Sequence, residues 1–475
     1  MVGNKQLNLW ALMAAVVGTM IGGGAFNLPK DMAAGANSGG VMIAWVITGV
    51  GMISLALVFQ NLSNRKSELA GGIYSYARAG FGPFIGFNSA WGYWIATILG
   101  NVAFVTLLFG SFSYFFPVFG QGNNLPSVIG GTLFVWGIHW LILRGIKEAS
   151  FINIITTIAK LIPICLFIVV MIFMFHRGIF LTDFWGKGTG FHWSSVLTQV
   201  KDTMLVTLWA FVGVEGAVVL SGRARRHRDV GRATVIGLVG TLMVYMLISI
   251  LSLGIMPREE LAKLPEPSMA FVLEYIVGDW GAIVINLGLT ASLLGAMLSW
   301  TLLAVEIPYV AAKDGMFPKS FARENKNNSP VISLWWTSFL TQTFIIIVLF
   351  AESTYQIVYS MASVAVLIPY LFSALYQLKL LRTEDTYSPG SKEMVTDRLI
   401  GGVATLYAVW LLYAAGPEYL LIVAVLYAVG IPLFIQVQRE YKRRWFSAFE
   451  WFLALGIILL GGYEVWMMAT GQIAP

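Results

Sequence analysis

Glycines and one carboxylate, placed inside long apolar stretches, carry the most distinctive chemistry in this sequence. Three successive glycines, Gly22, Gly23 and Gly24, interrupt one stretch, and Gly213 lies two residues before Glu215 in another. Glycine weakens a helix, and an opened helix frees backbone N–H and C=O groups. Freed N–H groups at the start of a half-helix attract a carboxylate, whereas freed carbonyls accept from an ammonium group. The pattern therefore predicts a binding site for a small zwitterion.

The same glycines also have a simpler interpretation as close contacts between packed membrane helices. That interpretation suits an isolated glycine pair. A glycine triplet matched by a second glycine-containing segment in an equivalent position favours an opened backbone instead.

Four charged side chains are expected at the depth of these apolar stretches: Glu215, Glu306, Glu464 and Lys160. An isolated charge in such surroundings costs several kcal/mol, so each is a functional candidate. Glu464 lies near the end of its stretch, and we expect it to be solvated. Lys160 must meet an acid or lose its proton, unless it snorkels toward a membrane surface.

Aromatic side chains could hold the cationic tail of a ligand. Trp209 and Trp300 are expected deep within their stretches, where a desolvated cation–π contact is worth about 1–2 kcal/mol. Asn101 could add an amide oxygen. Most of the 17 tryptophans are expected in interfacial belts or in packing, and depth sets these two apart.

The composition identifies the surroundings in which this chemistry operates. Of the 475 residues, 57% are apolar and only 11% are charged, whereas a soluble protein has about 25% charged residues. The chain is therefore predicted to be an all-α polytopic membrane protein that lies in the lipid bilayer. Its net charge of +6 is attributed to basic loops that anchor it at the cytoplasmic membrane surface, not to binding of nucleic acid. A single cysteine and four scattered histidines lead us to expect no metal and no cofactor.

About 20 apolar residues are needed to cross a bilayer as a helix. On that basis the sequence predicts twelve core spans and a thirteenth, near 8–35, 41–61, 84–117, 127–143, 151–175, 196–221, 232–255, 281–312, 331–350, 356–379, 399–415, 418–437 and 447–470. Most of the 30 lysine and arginine residues fall in loops on one side, which predicts an inside N-terminus.

The two glycine breaks fall in spans one and six, the corresponding members of two five-span halves. This spacing indicates an inverted repeat with a site near the midplane. We therefore predict one transporter domain that comprises a first repeat over 8–175, an inverted second repeat over 196–380 and additional spans over 399–470.

The sequence resembles the amino acid–polyamine–organocation transporters, and within them the basic amino acid/polyamine antiporters. The resemblance covers about residues 8–437 and is strongest with bacterial arginine/ornithine antiporters. The matching segments are Gly22–Gly24 with Phe26 and Leu28-Pro29, Gly71–Tyr76, Asn88–Trp94, Leu143–Ala149, Trp209 with Gly213–Glu215, Ser221–Gly231, Ser299–Ala304 and Ala311–Pro318.

The resemblance implies a LeuT-type fold with five plus five spans and broken first and sixth helices. It implies that the substrate carboxylate meets the Gly22–Gly24 amides and that the amine meets carbonyls around Ile21 and Trp209. The substrate-binding residues expected on this basis are Ile21, Gly22, Gly23, Gly24, Asn101, Trp209, Gly213 and Trp300. Gating or charge sensing is expected of Tyr93, Glu215, Glu306 and Lys160.

Lys160 is given a particular role by the resemblance. Some cationic amino acid transporters of this superfamily carry a lysine on span five in the place of a sodium ion. We therefore expect Lys160 to bridge spans one, five and eight.

These expectations lead to a functional hypothesis, the electroneutral exchange of arginine for ornithine across a bacterial cytoplasmic membrane by alternating access. A proton-coupled symporter and an exchanger of an amino acid for its amine, such as tyrosine for tyramine or histidine for histamine, remain open. A channel or an intramembrane enzyme is disfavoured, because the sequence has no filter-like run and no paired nucleophile and base. Cationic amino acids are the expected partners, and the resemblance also allows a homodimer.

Overall fold

The computed structural model describes residues 8–69, 71–145, 149–186, 190–216, 225–351, 354–383 and 386–470. Within these ranges the secondary structure is helical apart from one isolated bridge between Glu324 and Pro330. The α-helices are α1 (Leu9–Met20), α2 (Gly24–Gly35), α3 (Ser38–Arg65), α4 (Ile73–Phe81), α5 (Pro83–Phe112), α6 (Leu125–Leu143), α7 (Ala149–Met174), α8 (Arg177–Leu181), α9 (Trp193–Phe211), α10 (His227–Ser252), α11 (Arg258–Leu261), α12 (Ser268–Val277), α13 (Asp279–Lys313), α14 (Val331–Ala351), α15 (Tyr355–Arg382), α16 (Lys392–Glu440) and α17 (Ala448–Ala469).

Each predicted span overlaps one of these helices. In the described part of the chain, ten helices are long and apolar enough to cross a membrane, or eleven if the bent pair α1–α2 counts as one span. The multi-pass all-α architecture is therefore confirmed, and the number of thirteen spans stays a prediction.

The first predicted break is present. Helix α1 ends at Met20, α2 begins at Gly24, and the two axes differ by 45°. Ile21 leaves the helical conformation with ψ 82°. The glycine triplet thus interrupts the span where the sequence predicted it to open.

The second predicted break is present too. Helix α9 ends at Phe211, and a turn over 212–215 follows before the helical conformation resumes at Gly216. Gly213 has φ 105°, a conformation that residues with a Cβ atom rarely adopt. The last residues of the predicted span, 217–221, lie outside the described residues.

Helix α16 contains a third irregularity. Its 49 residues would extend about 74 Å at 1.5 Å per residue, more than twice the bilayer core. Gly416, at φ 76° and ψ 164°, interrupts it between the eleventh and twelfth predicted spans. The predicted Gly-Pro boundary therefore corresponds to a real break in the backbone.

The two broken spans pack against several other helices. α1 packs on α7 and α10, while α2 packs on α9 and α12. Helix α5 is buried along nearly its whole length between α13 and α15. Helices α1 and α2 extend from opposite ends of the first break, and α9 lies beside α2. We call the side of the break that contains α2 and α9 the α2 side, and the opposite side the α1 side.

Candidate functional site

The two breaks enclose a small cavity of about 10 Å³, room for about one water molecule. The side chains that line the cavity are buried, and its volume is too small for a cationic amino acid, which fits only after some of these side chains move. Its walls are Thr19, Met20, Gly22, Gly24, Phe104, Trp209, Val212 and Trp300.

Thr19 joins the two breaks directly. Its hydroxyl donates to the Gly213 carbonyl at 2.9 Å, and its own carbonyl accepts from Trp300 Nε1 at 3.3 Å. A single residue at the end of α1 therefore couples the opened backbone of both broken spans to α13.

The N-terminus of α2 supplies a donor patch beside the cavity. Gly23 is its N-cap, and no side chain of the described residues caps it. The Gly22 amide donates to Met20 O at 2.8 Å, and the Phe26 amide donates to Gly23 O at 3.1 Å. The first amides of a helix carry its positive dipole end, so the uncapped start of α2 suits an anionic group.

Most carbonyls freed at the first break already have donors. Lys160 Nζ donates to Gly18 O at 2.6 Å and to Ile21 O, and Tyr245 OH donates to Met20 O at 2.8 Å. Ser292 Oγ lies 3.5 Å from Ile21 O, also at hydrogen-bonding distance. This segment is therefore held by side chains from α7, α10 and α13, which fix the backbone in its opened form.

Lys160 is buried, with 1% of its surface exposed, so snorkelling is the wrong interpretation. Its two acceptors lie on span one, and span eight reaches the same Ile21 carbonyl through Ser292. Lys160 thus joins spans one and five, and Ser292 of span eight reaches the same carbonyl; a bridge by Lys160 across all three spans stays a prediction. The role of Lys160 in transport stays a proposal.

Three aromatic rings form the apolar wall of the cavity. Phe104 lies 5.3 Å from Trp300 and 5.9 Å from Trp209, centroid to centroid, and the two indoles lie 5.7 Å apart. Trp209 is held in place by its Nε1–H, which donates to Tyr355 OH at 2.9 Å. A cation that entered the cavity would therefore meet the faces of three aromatic rings.

The glycine triplet also serves close packing, as the simpler interpretation proposed. A Cβ atom would approach Phe104 within 3.1 Å from Gly22, and Trp209 within 3.0 Å from Gly24. At Gly23 it would come within 2.4 Å of a Leu107 methyl group. Opened backbone and close packing are therefore both present, and side chains at these positions would be excluded on either ground.

Glu215 forms a polar plug on the α1 side. It is fully buried, and its Oε2 accepts from Tyr370 OH at 2.5 Å and from the Gly213 amide at 3.2 Å. Tyr93 of α5 lies beside the same carboxylate. Tyr93 OH and Glu215 Oε1 have no hydrogen-bond partner of regular geometry among the described residues.

Only part of the predicted substrate-binding set lies on the cavity wall: Gly22, Gly24, Trp209 and Trp300 do so, whereas Ile21, Gly23, Gly213 and Asn101 do not. Asn101 is 2% exposed, and neither its amide oxygen nor its amide nitrogen has a partner in the described residues. Its neighbour Gly100 lies against Trp300. An unsatisfied buried polar atom costs about 1–3 kcal/mol, which a ligand could recover.

Two predicted acids lie elsewhere. Glu306 is half-buried on α13, beyond Trp300 and near Tyr74 of α4, and it does not line the cavity. Glu464 was expected to be solvated, and that expectation is wrong. Its side chain is fully buried where α17 packs against α16, whose Ala424 and Val425 lie beside Gly461, one turn before Glu464.

Sequence reasoning missed Asp31, a further acid inside span one. Asp31 lies next to Lys30 near the end of its apolar stretch, a position typical of a membrane surface, yet it is only 5% exposed. It also missed Phe104, which nothing distinguishes in sequence from the other phenylalanines. Among the described residues, no group of three or more His, Cys, Asp or Glu could hold a metal ion.

Comparison with known proteins places the chain among transporters. The amino acid permease family matches residues 7–460. The arginine/ornithine antiporter of Pseudomonas aeruginosa is 48% identical over 462 residues, which cover 96% of each protein. The arginine/agmatine antiporter of Chlamydia felis is 44% identical over 442 residues, or 92% of this chain and 91% of that protein.

A solved structure shares the fold. The crystal structure of MhsT in complex with L-phenylalanine matches with a TM-score of 0.57 and 16% identity, and it covers 86% of this chain and 98% of that chain. At this identity the likeness concerns the fold alone. It confirms the LeuT-type architecture that the family resemblance implied.

Proposed function

The chain belongs to the amino acid permease family of membrane transporters, and from that premise we propose that it exchanges cationic amino acids, with arginine and ornithine as the substrate pair. The observation that carries the proposal is the pair of facing helix breaks. They combine an uncapped helix N-terminus and three aromatic rings around one buried cavity. Behind the Trp300 ring, next to Gly100, Asn101 has two unsatisfied amide atoms.

The parts of the site match the parts of the substrate. The amides at the start of α2 take the substrate carboxylate, since the dipole end of a helix favours an anion. The indoles of Trp209 and Trp300 take the cationic tail by cation–π contact, and Asn101 offers its oxygen to the same group. For the substrate ammonium group, backbone carbonyls near the breaks are the acceptors.

Exchange proceeds by alternating access. The cavity is closed toward the α1 side by Glu215 and its tyrosine partners, and toward the α2 side by Trp209. A bound substrate replaces the contacts between the aromatic rings, which lets the helices rock and opens one side at a time. Because arginine and ornithine each carry a single positive charge at neutral pH, one-for-one exchange moves no net charge.

Exchange of arginine for agmatine is the second candidate, because a relative of 44% identity is named for that activity. Agmatine carries a guanidinium and an ammonium group but no carboxylate. It would therefore leave the α2 amides without an anion, and one-for-one exchange would move one charge. The two candidates differ in both respects.

The test is uptake of labelled arginine into proteoliposomes preloaded with ornithine, lysine, agmatine, tyramine or buffer alone. We expect rapid uptake with ornithine inside, slow uptake with buffer alone, and no response to a membrane potential. Faster uptake with agmatine, together with dependence on potential, would favour the second candidate. Equal uptake into empty liposomes driven by a pH gradient would contradict exchange and favour a proton-coupled symporter.

We also propose that the N-terminus lies inside the cell, which makes the α2 side the outer side of a bacterial cytoplasmic membrane. The balance of basic residues supports this orientation. Protease protection of N-terminal and C-terminal tags in right-side-out vesicles would test it. Digestion of an N-terminal tag from outside would refute the orientation.

A further inference from the structure

The polar network around Asp31 on the α2 side of the cavity has no role in the function proposed above. Asp31 is buried, and its two carboxylate oxygens have separate donors: Asn27 Nδ2 at 3.0 Å and Tyr359 OH at 3.2 Å. Lys30 is next to Asp31 in sequence, but its ammonium group lies 3.3 Å from Glu266 instead. The side-chain hydrogen bonds of Asp31 in the described residues are thus to neutral groups.

Tyr359 connects this carboxylate to Trp209 on the cavity wall. Its ring stacks on Trp209, with centroids 5.7 Å apart and planes within 12° of parallel. Tyr355, one turn earlier on α15, accepts the hydrogen bond from Trp209 Nε1 and lies 4.9 Å from the Tyr359 ring. The position of the indole therefore depends on two tyrosines, and one of these is fixed by Asp31.

Asp31 is also tied to the segment that covers the α2 side. Its partner Asn27 accepts from the Ser268 amide at 3.1 Å, and Ser268 is the first residue of α12. A chain of contacts thus runs from α12 through Asn27, Asp31 and Tyr359 to the tryptophan over the cavity.

The arrangement repeats that of Glu215 on the other side of the cavity. Each buried carboxylate accepts from a tyrosine hydroxyl of α15, Tyr359 for Asp31 and Tyr370 for Glu215. The two tyrosines are eleven residues apart, about 16 Å along the helix. One helix thereby holds a carboxylate on each side of the substrate cavity.

We propose that Asp31 is a positioning residue for transport: it holds Tyr359, and through that ring Trp209, over the cavity, so that the α2 side stays closed. The inference rests on the function proposed above. Rocking that opens the α2 side must separate α2 from α15, which breaks the hydrogen bond between Asp31 and Tyr359. Removing that bond therefore shifts the population toward the state open to the α2 side.

The experiment compares labelled arginine exchange in right-side-out and inside-out membrane vesicles for D31A, which removes the acceptor, and Y359F, which removes the donor. Y359F keeps the ring on Trp209 and guards against a folding defect in D31A. In each variant the half-saturating arginine concentration should fall about fivefold on the α2 side and rise on the α1 side. A factor of about five is what one hydrogen bond is typically worth. The double variant should show no larger shift than the stronger single variant, because both act on one bond.

Lys30→Gln is the matched control, since it removes a neighbouring charge that contacts Glu266 rather than Tyr359. A ratio of the two half-saturating concentrations that is unchanged in D31A and Y359F would overturn the inference. So would additive shifts in the double variant, an equal shift in the control, or a lower maximal rate on both sides at an unchanged ratio. If the unaltered protein exchanged no cationic amino acid, the proposed function itself would fail.

Discussion

Lys160→Met tests how the opened first span is held. Methionine keeps the length and apolar stem of the side chain and removes its ammonium group. The Gly18 and Ile21 carbonyls then lose the donor that reaches both of them at the break. A buried carbonyl without a donor costs about 1–3 kcal/mol. Ile21 O keeps Ser292 Oγ at 3.5 Å, so the loss at Gly18 O sets the expected cost at about 1–3 kcal/mol.

The loss should appear both in stability and in substrate binding, because the same backbone carries the donor patch of α2. We expect a lower unfolding temperature in detergent and a substrate dissociation constant that rises at least about tenfold. That rise corresponds to only about 1.4 kcal/mol of the loss. Thermal unfolding with and without arginine, together with binding of labelled arginine, measures both quantities.

Lys201→Met is the control, because Lys201 is a half-buried lysine of α9 whose ammonium group lies over the Tyr413 ring rather than at the break. If Lys160→Met matched this control in unfolding temperature and affinity, the structural role of the buried ammonium group would be refuted. Lys160→Ala adds a second comparison, since it leaves space beside two carbonyls that suit a sodium ion. Sodium chloride should then restore part of the affinity in the alanine variant, whereas choline chloride should not.

Four further predictions concern the cavity and the breaks. Trp300→Ala should raise the half-saturating arginine concentration about fivefold to thirtyfold in vesicle exchange, by loss of a cation–π contact; an unchanged value would remove Trp300 from the pocket. Glu215→Gln should weaken transport of the cation. Tyr370→Phe removes the 2.5 Å hydrogen bond to that carboxylate, so it should lower the half-saturating arginine concentration on the α1 side about tenfold. Equal half-saturating concentrations on both sides in Tyr370→Phe would contradict the role of Glu215 in closing the α1 side. Gly213→Ala should lower the unfolding temperature through about 1–2 kcal/mol of backbone strain at φ 105°, whereas Gly137→Ala, with open space around its Cβ position, should not.

The breaks themselves could be predicted from short stretches of sequence. A glycine triplet, and a glycine that adopts positive φ, weaken a helix through local backbone preference, and no distant partner is needed for that inference. The same holds for Gly416 before Pro417, where the predicted boundary and the observed kink coincide. Hydrophobic length likewise predicted a helix for each span.

The site was only partly predictable, because its contacts join residues far apart in sequence. The Thr19 hydroxyl and the Gly213 carbonyl are 194 positions apart, and nothing in either segment specifies the other. Lys160 could be recognised as buried and in need of a partner, but backbone carbonyls look alike in every sequence. Only the packing of α7 against α1 identified Gly18 and Ile21 as its acceptors.

Asp31 shows the limit most clearly. Beside Lys30, at the end of an apolar stretch, it has the sequence signature of a membrane surface. In the fold, α12 packs against α2, and Tyr359 of α15 donates a hydrogen bond to the buried carboxylate. Sequence by itself determined that this chain crosses a membrane and where two of its helices come apart, since both follow from composition and local backbone energetics. Tertiary structure alone decided which side chains close the cavity, because burial and hydrogen bonding depend on which helices meet.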